Sequence, residues 1–180
     1  KGRTSPLAWT ARAKRVATGV LVLLLMVAAV GGIVFHPVVT AAAVLLLPAG
    51  VDLVLALLTP VEARLGKPWV EKAAATLAAS GATVVAITGS YGKTTTKGYV
   101  AHLLTGAGRV LASPASFNNR MGLARAINEN LTGDLDVFVA EMGTYGPGEI
   151  AELCRWIPPR VAVMTAIGPV HLERFRTEER

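Results

Sequence analysis

Val84-Val-Ala-Ile-Thr-Gly-Ser-Tyr-Gly-Lys-Thr-Thr-Thr-Lys97 starts as an apolar run and passes into a glycine loop closed by Lys-Thr. The opening residues have the β-branching and length of a buried strand, and the residues from Lys93 onward read as a helix. Strand, glycine turn and helix start, in that order, make a phosphate-binding loop. Gly89 and Gly92 let the backbone turn tightly, so that its N–H groups face an anion. The helix start aims its positive end at the same point. The nucleotide-binding set is therefore Gly89, Ser90, Tyr91, Gly92, Lys93, Thr94 and Thr95. Lys93 supplies a full charge for phosphate, and the Thr94 hydroxyl is suited to a magnesium ion. The loop is a short variety, because Ile87 stands where the general Walker pattern needs a glycine.

Working outward, the chain alternates. Strands are expected at 83–88, 109–112, 135–140 and 160–167, with helices at 93–104, 122–131 and 148–157. Short apolar strands alternating with helices indicate an α/β domain with a mostly parallel sheet, covered by helices on both faces. Ligands of such sheets bind at the carboxyl ends of the strands. That rim receives the loop 89–94, Glu141 after Val-Phe-Val-Ala, and His171 after Thr-Ala-Ile-Gly-Pro-Val. A carboxylate there, beside bound phosphate, is suited to a hard cation.

Upstream of the loop the composition changes. Residues 16–35 carry no charge, and residues 38–59 form a second apolar run interrupted by Pro48 and Asp52. Each is long enough to span a bilayer, so a transmembrane helical hairpin is expected at 16–59. A cleaved signal peptide is the rival for the first run, but its apolar core is usually shorter and no Ala-x-Ala site follows before the second run. Lys1, Arg3, Arg12, Lys14 and Arg15 precede the hairpin without an acid, and Arg64, Lys67 and Lys72 follow it. Basic flanks on both sides place both ends in the cytoplasm, with the rest of the chain at the inner face of the membrane. Residues 81–180 hold ten basic and nine acidic groups, so the formal charge of +6 resides mainly in the juxtamembrane arm. That distribution argues for anionic lipid as a partner and against nucleic acid. Asp52 has two readings, a structural acid near the cytoplasmic end and a functional intramembrane group. Cys154 alone provides no disulfide framework, which fits a reducing compartment. The expected layout is a basic arm at 1–15, the hairpin at 16–59, a linker and amphipathic helix at 60–80, and part of a phosphate-binding α/β domain at 81–180. Within the linker Pro68 can open a new helix, Trp69, Ala73, Leu77 and Ala78 share a face, and Gly81 is the C-cap.

Four segments together resemble the Mur ligase family. They are Thr88-Gly-Ser-Tyr-Gly-Lys-Thr-Thr-Thr-Lys97, Ser116-Phe-Asn-Asn-Arg-Met-Gly122, Glu141-Met-Gly-Thr-Tyr-Gly-Pro-Gly-Glu-Ile150 and Thr165-Ala-Ile-Gly-Pro-Val-His-Leu-Glu-Arg-Phe175. The second is similar to the Asn-Asn-x-x-Gly segment of the family's D-alanyl-D-alanine-adding branch. The resemblance implies an ATP-dependent, amide-forming ligase of peptidoglycan precursor synthesis. ATP phosphorylates a muropeptide carboxylate, and an amine such as D-alanyl-D-alanine attacks the acyl phosphate. It further implies that Lys93 holds the β- and γ-phosphates and that Thr94, Glu141 and His171 form the Mg2+ environment. Asn118 and Asn119 would touch nucleotide, metal or acyl phosphate. Lys93, Asn118, Asn119 and His171 are thus the expected catalytic set.

The chain departs from the family at both ends. A membrane hairpin stands in place of the domain that grips the UDP-sugar, and the residues stop before the lysine that the family carbamylates. It therefore reads as a fragment, inactive alone, whose acceptor is UDP-linked or lipid-linked. A membrane-anchored P-loop kinase or ATPase of polysaccharide export would account for the spans and the loop, but not for the later motifs. An amidating relative acting on lipid-linked peptides is the other alternative, and it typically carries a cysteine-rich zinc ribbon.

Overall fold

The computed structural model describes residues 9–34, 41–42 and 44–170, and His171 lies outside them. The chain divides into two compact units, Lys1–Leu65 and Gly66–Arg180.

The first unit pairs two helices. Helix α1 runs over Ala11–Val34, and α2 runs over Leu47–Ser80, its first part belonging to this unit. Arg15 pairs with Glu62, Gly19 faces Val54, and Leu23 faces Gly50. Rising numbers on one helix meet falling numbers on the other, so the two are antiparallel. The glycines permit the close approach. A Cβ on Gly19 would lie 2.8 Å from Val54 Cγ1, and one on Gly50 would lie 2.6 Å from Leu23 Cδ2. At the open end of the pair Arg15 Nη2 donates to Glu62 Oε2 at 2.8 Å. Glu62 is held below its ordinary pKa, first by the hydrogen bond from Arg15.

Two expectations change here. The second apolar run is interrupted by a turn at Leu46, and Pro48 then sits in the first turn of α2. A proline is tolerated there, because first-turn N–H groups have no partner within the helix. Conversely, Pro68 opens no new helix. Helix α2 continues through Pro60 and Pro68 to Ser80, and tertiary contacts override the local cost. Its buried stripe is Val70, Ala73 and Leu77, so Ala73 and Leu77 of the expected face are buried while Trp69 and Ala78 are not. Trp69 remains partly exposed beneath the Lys72 ammonium, and Ala78 is exposed. Gly81 ends the helix with φ 65°, as a C-cap requires.

The second unit alternates strand and helix. Strands β1 (Thr83–Thr88), β2 (Val110–Ala112), β3 (Val137–Glu141) and β4 (Val161–Met164) are separated by α3 (Lys93–Leu104), α4 (Arg120–Asn130) and α5 (Glu149–Trp156). All strand pairings are parallel, in the order β2-β3-β1-β4. Strand β4 is shorter than its apolar run, because residues 165–168 turn instead toward the glycine loop.

Alternation along the strands divides the core in two. Val84, Ala86, Phe138 and Ala140 pack on one face with α2, α4 and α5 through Leu77, Leu123, Ile127 and Leu153. The opposite face carries Val85, Ile87, Val139 and Glu141, and α3 lies over it. Right-handed crossovers produce this arrangement. After β1 the chain moves toward one edge through α3, and after β2 and β3 it moves the other way through α4 and α5. The direction reverses between β1 and β3, which opens a crevice beyond their carboxyl ends.

Candidate active site

Gly89–Thr94 leaves β1 at that crevice and Glu141 ends β3 beside it. Two glycines in the loop are dictated by conformation. Gly89 has φ 134° and abuts Thr165 and Ala166 so closely that a Cβ would collide with both. Gly92 has φ 79° and is the N-cap of α3 without contributing a side-chain acceptor. The first-turn N–H groups of α3 are thereby directed to an external anion. Lys93 Nζ arches over the loop, donating to Gly89 O at 2.6 Å and to Ser90 O at 3.3 Å.

The far side of the loop is stitched to the segment after β4. Ser90 N donates to Ala166 O at 2.6 Å, and Gly168 N donates to Ser90 Oγ at 3.0 Å. Thr165 Oγ1 donates to Tyr91 O at 2.6 Å. Tyr91 is exposed, with its ring close to Gly168. These bonds carry the chain back to the crevice rim three residues before His171.

Glu141 is the centre of the site and is 2% exposed, which for a carboxylate demands partners. Oε2 accepts from Thr94 Oγ1 at 2.9 Å and faces Lys97 Nζ at 3.0 Å. Oε1 accepts from Asn118 Nδ2 at 3.2 Å. The backbone is fixed as well, since Glu141 N donates to Ser113 Oγ at 3.1 Å. Burial pushes the Glu141 carboxyl up, but hydrogen bonds from Lys97, Thr94 and Asn118, with the Lys97 charge, leave it below its ordinary pKa. It is the ionised form that this pocket stabilises.

Asn118 and Asn119 are used differently. Asn118 reaches Glu141, and its carbonyl accepts from Gly143 N at 2.8 Å. Gly143 is what leaves room, since a Cβ there would come within 2.9 Å of the Asn118 amide. Asn119 Oδ1 instead accepts from Gly122 N at 2.9 Å, the N-cap bond of α4. Thr95 is exposed on the first turn of α3.

Sequence reasoning missed Lys97 and Ser113 as members of the site. Lys97 is one helical turn beyond Lys93, a spacing that puts both on one side of α3. Ser113 follows a three-residue strand, and nothing in its neighbours distinguishes it from a loop serine.

Thr94 and Glu141 offer a hydroxyl and a carboxylate oxygen 2.9 Å apart beside a basic phosphate loop. All-oxygen donors of this kind fit Mg2+. Among the described residues no three His, Cys, Asp or Glu side chains converge on a metal site.

The Mur ligase middle domain family matches residues 87–180. The UDP-N-acetylmuramoyl-tripeptide–D-alanyl-D-alanine ligase of Mycobacterium leprae (strain TN) is 42% identical over 106 residues, covering 59% of this chain and 20% of the relative. The ligase of the same name from Bacillus subtilis (strain 168) is 36% identical over 99 residues, covering 55% and 21%. The crystal structure of MurF ligase from Thermotoga maritima in complex with ADP superposes with TM-score 0.59 at 39% identity, over 63% of this chain and 26% of that one. MurF from Acinetobacter baumannii superposes with TM-score 0.58 at 29% identity, over 62% and 24%. The chain thus spans only about a fifth to a quarter of the length of these relatives.

Proposed function

Since the chain belongs to the Mur ligase family through its middle domain, we propose that it supplies the nucleotide site of an ATP-dependent amide-forming ligase of peptidoglycan precursor synthesis. One observation carries this reading. Thr94, Lys97 and Asn118 converge on the buried, ionised Glu141 immediately beside the Lys93 loop.

A carboxylate is a poor electrophile until one of its oxygens becomes a phosphate leaving group. Transferring the γ-phosphoryl group of ATP requires that charge moving among phosphate oxygens be met by fixed donors. In this chain the Lys93 ammonium and the first-turn N–H groups of α3 orient and neutralise the phosphates. Thr94 and Glu141 would hold Mg2+, which when bound would offset the charge of the phosphates. The Asn118 amide fixes the second carboxylate oxygen. His171, within the matched segment 87–180, is the remaining proposed metal-side residue, and Asn119 supports the site by capping α4.

The acceptor proposed from the relatives' names is a UDP-N-acetylmuramoyl-tripeptide, with D-alanyl-D-alanine as the amine. ADP release measured with the complete protein tests this. Release that requires both acceptor and dipeptide supports it, whereas acceptor-independent release would sink it and favour an ATPase.

A membrane location for this chemistry is a second proposal, favoured by α1. Residues Ala11–Val30 have mean hydropathy 2.0 and are not buried within the structure. Membrane lipid would then be a partner, and an inner-membrane site would bring a lipid-linked muropeptide within reach. Comparing ADP release on soluble UDP-linked and lipid-linked acceptors decides between them, and preference for the soluble acceptor overturns the lipid-linked proposal.

A further inference from the structure

We propose that Lys97 is a positioning residue, holding Glu141, the Asn118 amide and the turn at Ala115 in the geometry that accepts a divalent cation beside Thr94. The proposal rests on the nucleotide-site reading and goes beyond it, because it gives a role to a residue outside the phosphate loop.

Lys97 is 5% exposed, an unusual fate for an ammonium on a helix of this size. Burial rules it out as a mobile surface charge steering nucleotide. Its Nζ instead makes two directed contacts. One, at 3.0 Å, is to Glu141 Oε2, the oxygen that also accepts from Thr94. The other is a 2.6 Å hydrogen bond to the carbonyl of Ala115.

Ala115 is the single non-glycine residue with positive φ among the described residues, at 44°. A left-handed alanine is unfavourable unless its surroundings hold it. The Lys97 bond to its carbonyl does so, in the turn that links Ser113 to Asn118. Both ends of that turn reach Glu141, Ser113 through the Glu141 backbone N–H and Asn118 through Oε1. One ammonium therefore ties α3, the β2–α4 turn and the end of β3 together around a single carboxylate. Supporting groups of this kind set the affinity of a metal site without entering its coordination shell.

The opposite role would be a resident cation that competes with the metal for Glu141. The two roles predict opposite signs. If Lys97 positions the carboxylate, removing it weakens the cation's contribution. If it competes, removing it strengthens that contribution.

The test is calorimetric titration of the intact chain with ADP, with and without Mg2+, for the unmutated protein, Lys97→Met, Lys97→Gln and Glu141→Gln. In both Lys97 variants, ADP affinity without Mg2+ should stay within about twofold, while the gain conferred by Mg2+ falls about tenfold or more. The double variant Lys97→Gln with Glu141→Gln should show no smaller Mg2+ gain than Glu141→Gln alone, because Lys97 acts through that carboxylate. Should Lys97→Met fail to fold, Lys97→Gln, which keeps a donor, carries the comparison. A Mg2+ gain that is unchanged or larger in the variants overturns the proposal. So does equal weakening with and without Mg2+, which would mark a general loss of structure. If the unmutated chain binds no ADP under either condition, the phosphate-loop reading itself falls, and the proposal falls with it.

Discussion

Glu141 shows how a single residue's surroundings set its chemistry. Its folded-state pKa lies below the ordinary 4.5, so folding favours the ionised carboxylate. The sign follows from linkage: this contribution is complete above the ordinary carboxyl pKa and is lost as pH falls through the depressed folded value. Glu141→Gln leaves the Lys97 ammonium buried without its counter-charge, at a cost of about 3 kcal/mol at neutral pH. Urea midpoints measured from neutral to acid pH should therefore show the two proteins converging in the acid range. A constant gap would mean that the carboxylate's charge contributes nothing to the fold. At the loop, Lys93→Ala removes the charged donor to phosphate and should weaken ATP binding about 10- to 100-fold, with little change in thermal stability. Unchanged ATP affinity by calorimetry would remove the phosphate-loop assignment. Gly89 permits no such selective test, because any side chain strikes Thr165 and strains the backbone at φ 134°.

Among the elements, α4 separates capping from chemistry. Asn119 accepts from Gly122 N, so Asn119→Ala should cost about 1 kcal/mol while Asn119→Ser, still able to cap, should cost far less. If ADP release by the complete protein is lost in the serine variant as well, Asn119 has a catalytic contact and not only a cap. Strand β1, helix α3 and the glycine loop were legible because three local signals coincide there: an apolar strand, two glycines and a Lys-Thr helix start. The C-cap at Gly81 was legible for the same kind of reason. Helix α2 was not. Pro68 reads as a helix start, yet the helix passes through it and buries Val70, Ala73 and Leu77 just beyond. Lys97 was hidden differently, since a lysine on a short helix is normally solvated and its burial depends on Ala115 and Glu141, distant in sequence. Local propensity identifies elements, whereas long-range pairing of polar groups is written in no single segment.

At the scale of the whole molecule the unresolved balance is between apolar surface and solvent. Leu21, Leu25, Met26 and Val30 on α1 are each more than half exposed, as are Leu53 and Leu57 on α2. A continuous apolar surface of this kind is aggregation-prone in water and stable against lipid. Within the helix pair, Gly19 and Gly50 provide the close packing that stabilises helices where lipid supplies no hydrophobic drive. The basic residues Arg12, Lys14 and Arg15 at one end, with Arg64 on the returning helix, fit an anionic headgroup layer. Two terms should therefore hold the chain to a bilayer, and they respond to different perturbations. Burial of the apolar surface is insensitive to salt, whereas attraction of the basic residues is screened within a Debye length. The intact chain should float with vesicles containing anionic lipid and remain bound after a carbonate wash. Replacing Arg12, Lys14 and Arg64 by Gln, which spares the Arg15–Glu62 pair, should slow the association in low salt without releasing chain already inserted. Gly50→Leu should leave membrane binding intact while splaying the helix pair, read as a longer distance between spin labels placed at the exposed positions Leu21 and Leu53. Release of the unmutated chain by carbonate would overturn the membrane proposal, because a surface-bound helix comes off under that wash and a spanning pair does not.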